Sequence, residues 1–271
     1  KYVDKVIVVD DGSNDMTGEI AEAVGAEVIY HEVNMGKGAA IKTILEKVKE
    51  EMPDILVLLD ADEQHDPNDI SKLIEPILQE KADIVIGSRF MAKSKIPKYR
   101  KVGLNLLSAL IRIASRINIS DPLSGFRALH RKAYELITLT ENGYGVEAEM
   151  LIKAYKSNLK IIEVPTDIKY HTGVKSSKKG PISQAIEIIN TILRKTMFAH
   201  PLFYLGVPGF IIILIGVVFG TYLAVTYNIT QYFSIPISFI SLSAVLLGTI
   251  LLFNAIIIAL IIELKNRQDN R

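Results

Sequence analysis

Two aspartates one residue apart, Asp60-Ala61-Asp62, follow directly on an apolar run, Ile55-Leu56-Val57-Leu58-Leu59. Carboxylates at that spacing can face one pocket where a chain leaves a sheet. Their hard oxygens suit Mg2+ or Mn2+, and Mg2+ commonly takes one or two carboxylates together with the phosphate oxygens of a substrate. Gln64 and His65 stand close enough in sequence to add a ligand or a phosphate contact. A solvated acidic turn or a helix cap uses the same residue types. What favours chemistry is a second acidic turn, Asp10-Asp11, which closes a second apolar run, Val6-Ile7-Val8-Val9.

Other segments carry anion-binding residue types. Asp10 to Asp15 either caps the next helix or offers a carboxylate to the N–H of a nucleotide base. Asn34-Met35-Gly36-Lys37-Gly38 opens a helix, where glycines let a phosphate approach and the helix N-terminus favours anions. The glycine spacing is not that of a P-loop, and no G-x-G-x-x-G is present. Arg89, after Gly87-Ser88, can clamp a phosphate bidentately. Asp121 to Arg127 reads as a turn whose Phe126-Arg127 pair is either packed or functional. Lys175, Lys178 and Lys179 form a basic loop, either a solvated charge run or a seat for an anionic headgroup.

The elements that must position these residues alternate. Short β-branched runs at 6–9, 27–31, 55–59, 83–87 and 161–165 read as strands. Helical patterns cover 17–24, 36–51 and 67–79, the last with Pro67 at its start. Such alternation predicts an α/β fold with a mostly parallel sheet, whose ligands bind at the carboxyl ends of the strands. The segment 102–117 is amphipathic, with Leu104, Leu107, Ile111 and Ile113 among polar residues. It suits the core or a membrane interface equally.

Of 271 residues, 49 % are hydrophobic, and the formal net charge is +1, which gives no reason to expect nucleic-acid binding. There is no cysteine, which excludes disulfides and thiolate metal sites. The first residues carry no secretory signal pattern and no initiator Met, and they open almost directly into a strand. The expectation is that an N-terminal piece is missing. After a helical stretch at 181–198, two charge-free apolar segments run over about 203–227 and 235–262. Each exceeds the roughly 20 residues a bilayer requires. Arg194 and Lys195 precede the first; Lys265, Arg267 and Arg271 follow the second; the connecting loop has neither Lys nor Arg. The positive-inside rule then predicts an integral membrane protein with its main domain and both termini in the cytoplasm.

Val9-Asp10-Asp11-Gly12-Ser13, Asn34-Met35-Gly36-Lys37-Gly38, Asp60-Ala61-Asp62-Glu63-Gln64-His65, Gly87-Ser88-Arg89, Ser124-Gly125-Phe126-Arg127, Glu163-Val164-Pro165 and Ser176-Ser177-Lys178 occur in that order, within a match over roughly residues 3 to 200. This set resembles the family 2 glycosyltransferases with a GT-A (Rossmann-like) fold, and among them the dolichyl-phosphate mannose or glucose synthase group. The resemblance implies a catalytic domain over 1–180, a juxtamembrane amphipathic helix over 181–202, and two transmembrane helices with a short tail over 203–271. It implies inverting transfer of a sugar from a GDP- or UDP-sugar donor to a polyprenyl (dolichyl-type) phosphate at the bilayer, with no nucleic acid partner. A homo-oligomer is left open.

By the same resemblance, Val9, Asp11, Lys37, Asp60, Ala61, Asp62, Gln64 and Lys178 bind the nucleotide-sugar, and Asp60, Asp62 and Gln64 hold Mg2+ or Mn2+. Asp62, Arg89 and Arg100 are catalytic. Arg89, Arg100, Ser124 and Arg127 receive the acceptor phosphate. Two departures stand out. The family's first strand, ending in a Pro-x-Tyr-Asn-Glu-like segment, is not in this sequence, so the chain is truncated or that pocket wall is rebuilt. The arginine usual before Gly-x-Ser-Lys is replaced by Tyr170-His171-Thr172-Gly173, so His171 or Lys175 would substitute. A processive polysaccharide synthase would need more spans and a Gln-x-x-Arg-Trp motif, and there is no Trp. A non-catalytic membrane scaffold is a further alternative, and a soluble nucleotidyltransferase does not explain the spans.

Overall fold

The computed structural model describes residues 2–92, 98–115, 117–167, 181–199 and 201–269. The chain divides into two compact units, Lys1–Ile192 and Leu193–Arg271.

In the first unit, strands and helices alternate as the hydrophobic pattern requires. They are β1 (Ile7–Asp10), α1 (Thr17–Ala23), β2 (Glu27–Tyr30), α2 (Lys37–Glu51), β3 (Ile55–Leu58), α3 (Ile70–Leu78), β4 (Ile84–Ser88), α4 (Lys98–Ser115), β5 (Arg127–His130), α5 (Arg131–Leu136), α6 (Val146–Lys156), β6 (Ile161–Pro165) and the start of α7 (Pro181–Ala199), which continues beyond Ile192. A 3-10 turn at Pro67–Asp69 leads into α3, with Pro at its first position and the Asp66 carboxylate accepting from Asn68 N. Met52, at φ 56°, ends α2 in the left-handed conformation.

β1 and β2 pair in parallel as one sheet, and the second sheet has the order β3-β5-β4-β6. β5 is antiparallel to both β3 and β4, whereas β4 and β6 are parallel. The mixed sheet therefore has three strands pointing one way and β5 the other. The sequence pattern does not announce β5. It is four residues long, begins with a cation, and lacks the alternation that marks a strand.

Both faces of this sheet are covered, which is why its strands read as unbroken apolar runs. Successive side chains point to opposite faces. Leu58, Ile84, Ile86 and Leu129 pack with Leu45 of α2, Ile111 of α4 and Leu151 of α6. Val85 and Ala128 pack on the other side against Ile70, Leu73 and Ile77 of α3. Each buried Val, Leu or Ile among them stabilises by about 1.5–3 kcal/mol. In α4, Leu107 and Ile111 are core residues while Leu106 and Ile113 stay exposed.

The second unit is a helical hairpin. A π-helical turn (Leu202–Gly206) runs into α8 (Val207–Thr230), and α9 (Ile235–Asp269) returns. The apolar stretches Leu202–Thr230 and Ile235–Leu264 are long enough to cross a membrane, and only 17 % and 11 % of an 18-residue apolar window in each is buried. A core helix of a soluble fold would be mostly covered. Small residues bring the two helices together. A Cβ on Gly209 would lie 2.8 Å from Gly248 O, and Ser241 Oγ donates to Gly216 O at 2.8 Å. This is how helices associate where lipid removes the hydrophobic drive between them.

Candidate active site

The position of β5 explains how distant segments meet. Arg127 at its start is in register with Leu58 at the end of β3 and with Ile86 of β4. The loop 121–126 is thereby delivered between the carboxyl ends of β3 and β4, where Asp60, Asp62 and Arg89 emerge.

The centre of the site is an ammonium held by two carboxylates. Lys37 Nζ lies 2.7 Å from Asp60 Oδ2 and 2.7 Å from Glu147 Oε1 of α6. Burial opposes the charge on Lys37, but Glu147 and Asp60 outweigh it and hold its pKa above the ordinary value. Burial likewise works against the Asp60 carboxylate, yet the Lys37 charge carries its pKa below the usual value. Gly125 lies against this pair, since a Cβ there would stand 2.5 Å from Asp60 Oδ2 and 2.9 Å from Lys37 Nζ.

Asp62, half-buried, accepts from Gln64 N at 3.1 Å. Burial, reinforced by the nearby Asp60 charge, raises its pKa. The Gln64 side chain accepts and donates nothing among the described residues, and Ala61 is exposed. His65 is buried against Phe126 with ring centroids 5.0 Å apart, and its Nδ1 has no hydrogen-bond partner. Burial pushes the His65 pKa down, and Arg89 and Lys37 push the same way against Asp60. Among the described residues no cluster of three or more acidic or histidine side chains forms a ready metal cage. The donor set fits a hard divalent cation that takes its remaining oxygens from a nucleotide diphosphate: two adjacent carboxylates that repel each other and one unengaged amide.

Asp11 is placed differently from an open base-reading carboxylate. It accepts from Met35 N and Gly36 N at 2.8 Å each and pairs with His31 Nδ1 at 2.8 Å. These bonds outweigh burial and lower its pKa. Asp11 therefore fixes the loop that presents Lys37, and Val9 lies half-buried two residues before it on β1. The glycines of that loop admit protein rather than open space. A Cβ on Gly36 would meet Asn142 O at 2.6 Å and one on Gly38 would meet Glu141 O at 2.4 Å. Gly36 also has φ 98°, which a side chain strains.

At the end of β4, Arg89 lies bidentate on the fully buried Asp121, with Nε 2.7 Å from Oδ2 and an Nη 2.6 Å from Oδ1. Glu163 of β6 accepts from Ser120 N, Ser120 Oγ and Asp121 N at 2.7–2.8 Å, which fixes that loop. Arg127 and Ser124, expected at the acceptor phosphate, are instead buried within the loop. The Arg127 guanidinium donates to the carbonyls of Pro122, Ser124 and Glu147, and Ser124 Oγ faces Phe126 N. Carbonyl acceptors replace the water that a buried guanidinium loses. Arg100 stands in the first turn of α4, with its side chain outside the described residues. Lys178, with His171 and Lys175, lies wholly outside them.

The structure adds Glu147, Asp121, Glu163 and His31 to the site. Glu147 had one readable sign, an acid inside the apolar pattern of α6. The others act through register and loop path, which spacing does not reveal.

Residues 1–138 match the model of glycosyl transferase family 2. Glycosyltransferase AglJ of Haloferax volcanii is 31 % identical over 98 % of this chain and 87 % of its own length. A UDP-N-acetylglucosamine–dolichyl-phosphate N-acetylglucosaminyltransferase of Methanococcus voltae is 35 % identical over 62 % of this chain and 75 % of its own. Glucosyl-3-phosphoglycerate synthase of Mycobacterium tuberculosis, solved with Mn2+, UDP and glucosyl-3-phosphoglycerate, superposes with a TM-score of 0.54 at 27 % identity. That match covers 72 % of this chain and 69 % of the synthase.

Proposed function

From the premise that the chain belongs to glycosyl transferase family 2 and is a GT-A-type glycosyltransferase, we propose that it transfers a sugar, with inversion, from a GDP- or UDP-sugar to a polyprenyl phosphate at the cytoplasmic membrane face. The observation that carries this reading is the Asp60-Ala61-Asp62 turn meeting the Arg89–Asp121 pair across the amino end of β5. The name of the Methanococcus voltae relative supports a nucleotide-sugar donor and a dolichyl-phosphate acceptor. The UDP and Mn2+ of the mycobacterial complex support the donor side.

A phosphate acceptor, whose second pKa is about 6, is largely dianionic near neutrality and needs no strong general base. The chain's own task is then positioning and charge neutralisation. Asp60, Asp62 and Gln64 would hold Mg2+ or Mn2+, which when bound supplies Lewis-acid stabilisation of the leaving diphosphate. Arg89, held bidentately by Asp121, would face the acceptor phosphate together with Arg100 and Lys178. Ser124 and Arg127 would shape the loop beneath. Val9 and Asp11 would border the base, and Lys37 and Ala61 the diphosphate and sugar.

The hairpin α8–α9 would anchor the enzyme in the bilayer with the loop at 231–234 outside, keeping a lipid-borne acceptor within reach. The test is incubation of membranes bearing the protein with labelled UDP- and GDP-sugars, followed by lipid extraction. Label in a lipid phosphate fraction supports the reading. Binding of Mn2+ and nucleotide without any lipid-extractable or other glycosylated product would favour a scaffold.

A further inference from the structure

Lys37 occupies a position that the metal reading of Asp60 does not explain. Its ammonium lies on Asp60 Oδ2, one of the oxygens a cation would claim. Its main chain is fixed. Gly36 N is bound to Asp11, Ala39 N donates to Asn142 O at 3.1 Å, and the loop at 141–143 covers both flanking glycines. What can move is the flexible four-carbon stem. On the other side stands Glu147, 5 % exposed, with Oε1 on Lys37 and Oε2 buried without a partner. A buried carboxylate oxygen lacking a donor costs free energy. Here that oxygen is an acceptor in reserve beside the Lys37 cation.

We propose that Lys37 is a resident counter-ion of Asp60 that yields its place when the metal–nucleotide arrives, and that Glu147 is the positioning residue that retains the displaced ammonium beside the diphosphate. This rests on the metal reading of Asp60 and Asp62 given above. In the empty enzyme the ammonium neutralises Asp60 and offsets its repulsion of Asp62. On loading, Glu147 supplies both oxygens to Lys37, so the ammonium never lies buried without a counter-charge. Gly125 lets the ion pair lie directly on its backbone, since a Cβ there would stand 2.5 Å from Asp60 Oδ2 and 2.9 Å from Lys37 Nζ.

The exchange predicts opposite effects from two neighbours in one ion triad. Free Mn2+ is followed by electron paramagnetic resonance during titration of the full chain in detergent, alone and with saturating UDP or GDP. Lys37→Met removes the competitor, so binding of Mn2+ alone tightens about tenfold, the competent fraction having risen. Glu147→Gln removes the holder, so Mn2+ binding with nucleotide weakens about tenfold while Glu147→Asp restores most of it. A purely structural ion pair would move both variants the same way or neither, and that result overturns the exchange. Should Lys37→Met fail to fold by thermal melting, Lys37→Gln replaces it. The Glu147→Gln result also stands alone, since unchanged or tighter binding overturns the proposal. Wild-type protein that binds no Mn2+ with either nucleotide overturns the metal reading itself.

Discussion

Arg89 and Asp121 form a bidentate pair in which the main-chain N of Arg89 also donates to Asp121 Oδ2, at 2.9 Å. The guanidinium is thereby fixed in direction before any phosphate arrives. Asp121→Asn keeps the shape and removes the charge. Loss of a hydrogen bond to a charged group costs roughly 1.5–3 kcal/mol. The melting temperature should fall and the KM for the acceptor should rise more than the KM for the donor. Unchanged melting and unchanged acceptor KM would remove Asp121 from this role.

Asp62→Ala takes one proposed oxygen ligand from the turn without disturbing the core, because Asp62 is only half-buried and bonds locally to Gln64 N. Transfer should fall by at least about a hundredfold, in line with loss of one charge-stabilising group in other enzymes, with the melting temperature retained. Wild-type activity persisting in EDTA would refute metal dependence.

Asp11 has a folded pKa below its ordinary value of 3.8, since His31, Met35 and Gly36 favour the carboxylate over the opposing effect of burial. A depressed acid contributes stability above the unfolded value and loses it as pH falls through the folded value. Asp11→Asn should therefore melt well below wild type near neutral pH. The gap should narrow as the pH drops under 3.8. A gap constant with pH would mean that the charge is not what holds the loop.

Gly125→Ala puts a methyl group 2.5 Å from Asp60 Oδ2 and 2.9 Å from Lys37 Nζ. The ion triad must shift by several tenths of an ångström, and misplacement on the scale of 1 Å costs about a hundredfold in rate. Activity should fall by about that factor or less while circular dichroism stays unchanged. Full activity would show that the Asp60 position tolerates movement.

A Cβ on Gly206 would lie 3.6 Å from Ala255 Cβ, inside the range of about 3.5–4.5 Å that a disulfide spans. The chain has no cysteine of its own. Gly206→Cys with Ala255→Cys should oxidise to one intramolecular bond, read by intact mass. Adding Gly209→Leu, which drives a side chain into the Gly248 carbonyl, should suppress it. Equal oxidation in both backgrounds would mean the glycine contact does not set the spacing of the helices.

The acidic turns, Arg89 and the two apolar spans were legible because they are local. Strand-terminal carboxylates and uninterrupted hydropathy are written in neighbouring residues, and periodicity sets strands and helices independently of what they pack against. The glycines were legible as points of close approach but not in what approaches them, since Gly36 and Gly38 admit the loop at 141–143 from more than 100 residues away. Arg127 was read as a phosphate ligand because residue type carries charge but not direction. Burial between β3 and β4 turned it onto carbonyls. Tertiary structure alone decided that Glu147 reaches Lys37 and that Glu163 governs Asp121. Those contacts depend on the register of β5 and β6 and the seating of α6, which follow from packing both faces of one sheet rather than from any short stretch of sequence.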